Sequence, residues 1–248
     1  MMSLLTSADL ATMRQAGKTA AKILKDLRTF VKPGIYTKDI ETFFEARLVQ
    51  YPEMEIAFRG FMGYPAACCV SVNEEVIHGI PSKRKIVEGD IVSVDLGIKY
   101  RGLFVDTAYT YIAGRASPLA KKLVNSTLKS LYEAINKARI GNTIGDIGSA
   151  VQGFVEKKGF SVIRRFVGHG IGRELHETPE IPNFGEKGKG EKLNELQVLA
   201  IEPMVAAGDP EVAVLNDGWT AKTKDNSLSA HFEHTVAITK KGPWILTE

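Results

Sequence analysis

Apolar residues recur at intervals of three and four positions in four segments, a pattern that predicts four amphipathic helices. The predicted helices span residues 7–30, 37–49, 118–138 and 144–157. Residues 91–98 and 103–113 instead alternate apolar and polar positions, which is typical of half-buried strands. Further strands are expected before Glu202 and over residues 229–238. The pattern therefore mixes helices with strands throughout.

The order of these elements repeats along the chain. Gly34 and Gly141 each precede an Asp-Ile pair at the same spacing, and each pair leads into a short helix. In both copies a long helix comes first and strands follow. Two such halves, about 1–113 and 117–248, predict an α+β fold in one catalytic domain over residues 1–248. Its pseudo-two-fold antiparallel sheet would be backed by helices, with site residues from both halves meeting at the centre.

Two aspartates occupy the predicted hairpin. Alternation places Asp95 opposite the apolar face of its strand, and Asp106 shares a face with Phe104 and Ala108. A tight turn at residues 99–102 would set the two carboxylates directly opposite each other or one step diagonal. Like charges that face each other across a strand pair are destabilising, so a cation is expected between them. From this pair alone, an edge hairpin with both aspartates in solvent remains an equal alternative.

Three further residues add metal-binding chemistry. His169 lies between glycines, which allow the backbone to approach a small object closely. Glu202 ends an apolar strand just before Pro203, and Glu233 shares the polar face of its strand with His231. Four carboxylates and one imidazole in one place would repel unless cations lay between them. The set Asp95, Asp106, His169, Glu202 and Glu233 therefore predicts a two-metal site.

At these residues the chain resembles a known family. The matching motifs are VNEEVIHGIP at 72–81, DIVSVDLG at 90–97, DT at 106–107, GHGIGRELHETP at 168–179, IEPM at 201–204 and DGWTAKTKDNSLSAHFEHT at 217–235. Together they are similar to the bacterial type I methionine aminopeptidases of metallopeptidase family M24, over essentially the whole chain. The resemblance implies the pita-bread fold of creatinases and aminopeptidases. It also implies two divalent metal ions per chain, with Asp106 and Glu233 bridging them, and leaves open Co, Mn, Fe or Zn.

The implied activity is removal of the initiator methionine from nascent proteins whose second residue is small. A metal-bridged hydroxide would attack the first peptide bond, with Glu202 as both ligand and proton acceptor. His176 is the candidate donor to the oxyanion, and His78 the candidate contact to the scissile amide or leaving group. For His78, the alternative is a structural histidine in a turn.

The resemblance also implies a narrow apolar pocket for the methionine side chain. Its lining would be Phe58, Phe61, Tyr64, Cys69, Leu175 and Trp219. Leu175 stands where relatives often carry an aromatic residue, Phe61 where they often carry tyrosine, and Phe58 where smaller residues occur. These departures concern the shape of the pocket. Without the resemblance, residues of these types are more often plain core.

Composition agrees with this reading. The 248 residues are 44% hydrophobic, enough for a large core, and the net charge of +3 is too small to indicate a specific nucleic-acid partner. Cys68 and Cys69 are adjacent and suggest a reducing compartment.

With no leader-like or membrane-spanning segment, a cytoplasmic monomer is expected, acting on the N-terminal peptide of nascent proteins. A transient ribosome contact is left open. Because Met2 is long, removal of Met1 from this chain is expected to be poor.

Three alternatives compete with this assignment. Prolidases and proline-specific aminopeptidases share the metal site but carry a large N-terminal domain, for which Asp95 lies too early in this sequence. Type II relatives carry a helical insertion, for which there is no space between Glu202 and Glu233. A metal-free relative could serve as a scaffold that recognises RNA or the ribosome. Such a protein should have lost metal ligands, and this chain keeps the complete set.

Overall fold

Four α-helices pack on antiparallel sheets in the computed structural model, which describes residues 3–248. Met1 and Met2, and with them the expectation about Met1 removal, lie outside the described residues. The helices are α1 (Ser7–Phe30), α2 (Thr37–Leu48), α3 (Pro118–Ile135) and α4 (Ile144–Glu156). They start where the sequence pattern predicts and end at the predicted residue or slightly before it. None of the helices within residues 3–248 combines the length and apolar content that a membrane span requires.

The starts of α2 and α4 show why the Gly and Asp-Ile signals repeat. Asp39 accepts a hydrogen bond from the backbone N–H of Tyr36, and Asp146 accepts one from Thr143, both at 2.8 Å. A carboxylate in the first turn satisfies a free N–H and opposes the positive end of the helix dipole. Gly34 adopts a φ of 102° in the preceding turn, and the equivalent glycine of the second copy is also left-handed.

Fifteen strands of two to ten residues are found among the described residues. They are β1 (Met54–Ile56), β2 (Cys69–Val72), β3 (Glu75–Ile77), β4 (Ile91–Tyr100), β5 (Leu103–Ile112), β6 (Ser161–Val162), β7 (Gly168–Gly170), β8 (Glu177–Ile181), β9 (Val198–Ile201), β10 (Met204–Ala206), β11 (Val212–Val214), β12 (Ala221–Thr223), β13 (Ser229–His231), β14 (Glu233–Thr239) and β15 (Gly242–Ile245).

The largest sheet joins the two copies of the repeat at its centre. It has nine strands in the order β1-β4-β5-β14-β9-β7-β8, with β2 also paired to β4 and β15 to β14. Strands β13-β10-β6 and β11-β12-β3 form two three-stranded sheets. All of these pairings are antiparallel, which confirms the predicted α+β class. One buried cluster joins α1 and α2 to β4, and another joins α3 and α4 to β9 and β14.

The β4–β5 hairpin has a tighter turn than the sequence pattern suggested. Its two turn residues, Arg101 and Gly102, both have positive φ angles, 50° and 76°, as a two-residue hairpin turn requires. This turn pairs Asp95 with Ala108 and Asp106 with Gly97. Direct opposition of the two aspartates is therefore wrong, and the diagonal arrangement is the one observed. Both side chains remain on the same face of the sheet.

The predicted strand 229–238 is also corrected. It is interrupted at Phe232, so that β13 belongs to a small sheet and β14 to the large one. The chain makes the same change between β9 and β10, at Glu202 and Pro203. Proline lacks the N–H that would continue the ladder, and the N–H of Phe232 reaches the carbonyl oxygen of Pro203 at 3.3 Å. The chain thus passes between the large sheet and the small sheet at two neighbouring places, one beside Glu202 and one beside Glu233.

Candidate metal centre

Five neighbouring strands of the large sheet each contribute one predicted ligand. In sheet order these are Asp95 on β4, Asp106 on β5, Glu233 on β14, Glu202 directly after β9, and His169 on β7. Their side chains line one cavity of about 290 Å³. The structure therefore brings the whole predicted set together, although it is spread over more than half of the chain.

Hydroxyl groups tie the central strands together behind the carboxylates. The Thr235 hydroxyl accepts a hydrogen bond from the backbone N–H of Asp106 at 2.8 Å and donates one to its carbonyl oxygen at 2.7 Å. The Thr107 hydroxyl donates to the carbonyl oxygen of Glu233 at 2.8 Å. These bonds fix the backbone of both residues that were expected to bridge the metals.

Donor atoms from this set are close enough to share a cation. One donor atom each from Asp106, His169 and Glu233 lies within 4.8 Å of the others, and Glu202, His231 and Glu233 form a second such group. Glu233 belongs to both groups. The imidazole of His169 points a free nitrogen at the site, because its Nδ1 donates to the carbonyl oxygen of Gly170 at 2.9 Å and leaves Nε2 as an acceptor.

Several buried polar atoms at this site have no protein partner. Oδ1 of Asp95, Oδ1 of Asp106 and Oε1 of Glu233 form no hydrogen bond with any residue in 3–248. Burying carboxylate oxygens without a donor is costly, and nearby carboxylates add repulsion. Hard oxygen donors with one imidazole match the ligand preferences of first-row divalent metals. The residues present therefore fit divalent cations.

Burial shifts the pKa values of these groups strongly when no cation is bound. It raises the pKa of Asp106 to about 7 and that of Glu202 to about 8. The pKa values of Asp95 and Glu233 are raised well above their ordinary range, first by burial and then by neighbouring carboxylates. Burial lowers the pKa of His169 to about 3, which keeps the imidazole in its neutral, metal-binding form. Metal binding would have to displace protons from the carboxyl groups.

The prediction missed His231 as a member of this cluster. Its Nε2 lies 3.3 Å from Oε2 of Glu202, while Nε2 of His169 lies 3.6 Å from Oε1 of the same carboxylate. Burial lowers the pKa of His231 to about 4. The contact therefore joins a neutral imidazole to a carboxyl group whose pKa is raised, and it is not an ion pair. The alternation that placed His231 on the face of Glu233 was the available signal.

His78 and His176 lie at the border of the cavity. The rings of His176 and His169 have centroids 4.2 Å apart, and Phe61 meets His176 edge-on at 5.0 Å. His78 follows β3 with a φ of 58°, and burial lowers its pKa to about 4. It lies in irregular backbone directly after β3 and lines the cavity as well. The substrate-contacting role of His78 stays a prediction.

The predicted apolar residues line the same cavity. They are Phe58, Phe61, Tyr64, Cys69, Leu175 and Trp219. The Tyr64 hydroxyl donates to the carbonyl oxygens of Cys68 at 3.2 Å and Gly79 at 3.1 Å, and the Tyr64 ring meets Trp219 edge-on at 5.1 Å. Met62 also lines the cavity, although it is 80% exposed. Nothing in the sequence pattern distinguished it from its neighbours.

Comparison with protein families decides the affiliation. The sequence model described as metallopeptidase family M24 matches residues 11–240. The chain belongs to metallopeptidase family M24. Divalent metal use, inferred above from the buried carboxylates, agrees with membership of this M24 family.

Individual M24 proteins place the chain more narrowly. It is 45% identical to a methionine aminopeptidase of Clostridium perfringens, over 100% of this chain and 99% of the relative. It is 40% identical to that of Escherichia coli, over 99% and 94%. A methionine aminopeptidase crystal structure from Thermotoga maritima superposes with a TM-score of 0.97 and 47% identity, covering 100% of both chains. Within M24 the chain thus belongs with the methionine aminopeptidases, and the pita-bread fold is confirmed.

A more distant structure shows the fold alone. The prolidase of Pyrococcus horikoshii superposes with a TM-score of 0.76 at 21% identity. The match covers 98% of this chain but 62% of the prolidase.

Proposed function

We propose that this M24 chain is a metal-dependent aminopeptidase that removes N-terminal methionine when the second residue is small. The observation that carries the proposal is one cavity with two kinds of lining. Unpaired buried carboxylates form one part, and apolar side chains, including Phe61, Tyr64 and Trp219, form the other. An unbranched thioether side chain fits such an apolar pocket, and the first peptide bond would then lie beside the carboxylates.

The site would hold two divalent metal ions. The ligands would be Asp95, Asp106, His169, Glu202 and Glu233. Glu233 belongs to both groups of adjacent donor atoms, which supports its role as a bridge. For Asp106, the bridging role rests on the family resemblance and on the diagonal approach to Asp95 across the hairpin. Co, Mn, Fe and Zn all accept oxygen and nitrogen ligands of this kind.

When bound, the two cations supply a water of lowered pKa and polarise the scissile carbonyl. Glu202 accepts the proton released by the attacking water and returns it to the departing amine. Its carboxylate lies between Nε2 of His169, at 3.6 Å, and Nε2 of His231, at 3.3 Å. His176 donates a hydrogen bond to the oxygen that becomes negative, and His78 holds the amide on the leaving side.

The cellular setting follows from the same proposal. The substrate would be the N-terminal peptide of nascent proteins. Cys68 and Cys69 are both buried as free thiols, which supports a reducing compartment such as the cytoplasm. The monomeric state and a transient ribosome contact stay predictions.

Cleavage of short peptides tests the proposed function. Metal-loaded protein is expected to release methionine from Met-Ala-Ser, to cleave Met-Leu-Ser poorly, and to lose activity on chelation. Metal analysis of the active protein should give two ions per chain. Cleavage of Ala-Pro peptides with Met-Ala-Ser left intact would support a prolidase instead. Metal binding without cleavage of either peptide would favour a scaffold role.

A further inference from the structure

A second groove opens from the metal centre and is separate from the apolar pocket. It has a volume of about 450 Å³ and shares His78, His169, His176 and Glu202 with the metal cavity. We call it the downstream groove. Its outer part is lined by Arg165, Phe166, Thr178 and Glu180. None of the six predicted pocket residues lines it.

The shared residues define the course of a substrate. If the side chain of the first residue fills the apolar pocket, the first peptide bond lies at the junction formed by the shared residues. The remainder of the chain must then leave by another opening, and the downstream groove starts at this junction. An extended peptide advances at most about 3.5 Å per residue. The groove would therefore receive the residues that follow the cleaved bond.

Arg165 brings a positive charge to this groove. Its side chain is exposed, and it forms no ion pair or hydrogen bond with any residue of the described chain. Its guanidinium group lies over the ring of Phe166, whose centroid is 5.8 Å from Cζ. A guanidinium group without an internal partner is available to bind a carboxylate with two hydrogen bonds.

Glu180 brings the opposite charge nearer to the metal centre. It pairs with His169 across β7 and β8, so both side chains lie on the same face of the sheet. Glu180 is exposed, and within residues 3–248 it forms no ion pair with a basic side chain. Because its charge would repel an acidic substrate residue, it opposes any attraction by Arg165.

We propose that Arg165 makes the enzyme favour substrates with an acidic residue a few positions after the cleaved methionine, and that Glu180 limits this preference. The inference rests on the proposed function and names the class of substrate for the same site. The expected preference is about two- to fivefold in kcat/KM, the range of an exposed ion pair. High salt should reduce it, because exposed charges are screened.

The test uses peptide amides of equal length that begin Met-Ala and carry Asp, Asn or Lys at the third, fourth or fifth residue. Competition between the three, followed by mass spectrometry, gives relative kcat/KM values. Metal-loaded wild type is expected to prefer Asp over Asn and Asn over Lys at one or more positions. Arg165→Glu should reverse that order, and Glu180→Gln should widen the gap between Asp and Lys.

The neighbouring arginine is a matched control. Cζ of Arg164 lies 4.6 Å from the ring centroid of Phe184, and Arg164 does not line the downstream groove. Arg164→Glu makes the same reversal of charge and should keep the wild-type order. Equal cleavage of all peptides by the wild type, or an order unchanged in Arg165→Glu, would overturn the inference. Failure to cleave any of them would instead overturn the proposed function.

Discussion

Single residues with unusual surroundings were the most predictable part of the site. Asp95 and Asp106 stand out because two carboxylates on one face of a hairpin repel each other unless a cation lies between them, and Glu202 stands out because it ends an apolar strand, where burial requires a positive partner. His231 escaped notice because a buried histidine is usually a satisfied core residue. Its contact with Glu202 appears only once two distant strands leave the large sheet at the same place.

Glu202→Gln should abolish most activity. The substitution keeps the size of the side chain and its place between His169 and His231, but it removes the proton acceptor. We expect turnover to fall by at least about a hundredfold, the usual effect of losing a general base. Single-turnover rates at saturating metal separate this effect from weaker metal binding. Glu195→Gln, at an exposed position paired with Lys240, is the control. Near-normal turnover at full metal occupancy would remove Glu202 from this role.

His176→Ala should lower turnover while the metal content stays near normal. His176 lies against the ring of His169 but is not among the carboxylates and imidazoles whose donor atoms converge. Loss of one donor to a developing oxyanion costs about a hundred- to a thousandfold in turnover. His176→Asn keeps a side-chain N–H and should recover part of that loss. If metal were lost instead, His176 would have to be counted as a ligand.

At the level of elements, the starts of helices could be predicted from nearby residues, whereas the register of the strands could not. Capping aspartates and turn glycines marked the starts of α2 and α4, since these contacts lie within a few residues. Strand register depended on the turn at Arg101 and Gly102, whose left-handed conformations moved the pairing by a step. The short strands β6 and β7 have too few residues to show an alternating pattern.

The glycines around His169 were expected to let the backbone approach a small object, but in the structure they allow close packing against neighbouring strands. A Cβ atom on Gly168 would lie 2.3 Å from the carbonyl oxygen of Ala200, and one on Gly170 would lie 2.2 Å from that of Thr178. These glycines let β7 fit between β9 and β8. The close approach is to neighbouring strands, and it holds His169 in position.

Gly168→Ala should therefore weaken both the sheet and metal binding. Backbone on either side cannot yield without moving His169, and overpacking of this kind costs about 1–3 kcal/mol of unfolding free energy. Gly153 offers a control in α4, where a Cβ atom meets nothing within 4 Å apart from its own helix among the described residues. Gly153→Ala should raise stability by up to about 1 kcal/mol. Urea unfolding with and without metal measures both; an unaffected Gly168→Ala would contradict the argument.

Across the whole molecule, the site exists because strands from before and after α3 join one sheet. Asp95 and Asp106 lie before α3 in the chain, and the other ligands lie after it. Hydrophobic patterning predicted the helices and the α+β class, but the order of the strands depends on pairings between residues far apart in the chain. The division into halves at 1–113 and 117–248 stays a prediction. The downstream groove was also beyond the sequence pattern, since its walls come from separate loops and strands.

Metal removal should make the stability of the whole fold depend on pH in a defined direction. Without cations, the pKa values in the folded state are about 7 for Asp106 and about 8 for Glu202, and both exceed the values of the same groups in the unfolded chain. At a pH between the unfolded and folded pKa values, the folded state therefore binds more protons than the unfolded state. Stability contributed by the protonated groups is present at low pH and lost as pH rises through 7 and 8. His169 and His231, with pKa values lowered to about 3 and 4, act in the opposite direction but only below their unfolded value near 6.5.

The window from about pH 6.5 to 8 therefore reports mainly on the carboxyl groups, because it lies above the unfolded pKa of histidine and below that of cysteine, near 8.5. Chelated protein should lose unfolding free energy across it, by up to about 1.4 kcal/mol per pH unit for each proton involved. Metal-loaded protein should not show this loss, because its carboxylates are already ionised, so the stabilisation by metal should grow with pH. Glu202→Gln removes one proton from the linkage and should flatten the slope of the chelated form. Urea unfolding at several pH values measures this; a chelated protein whose stability is constant or rises over the window would contradict a buried, proton-holding metal centre.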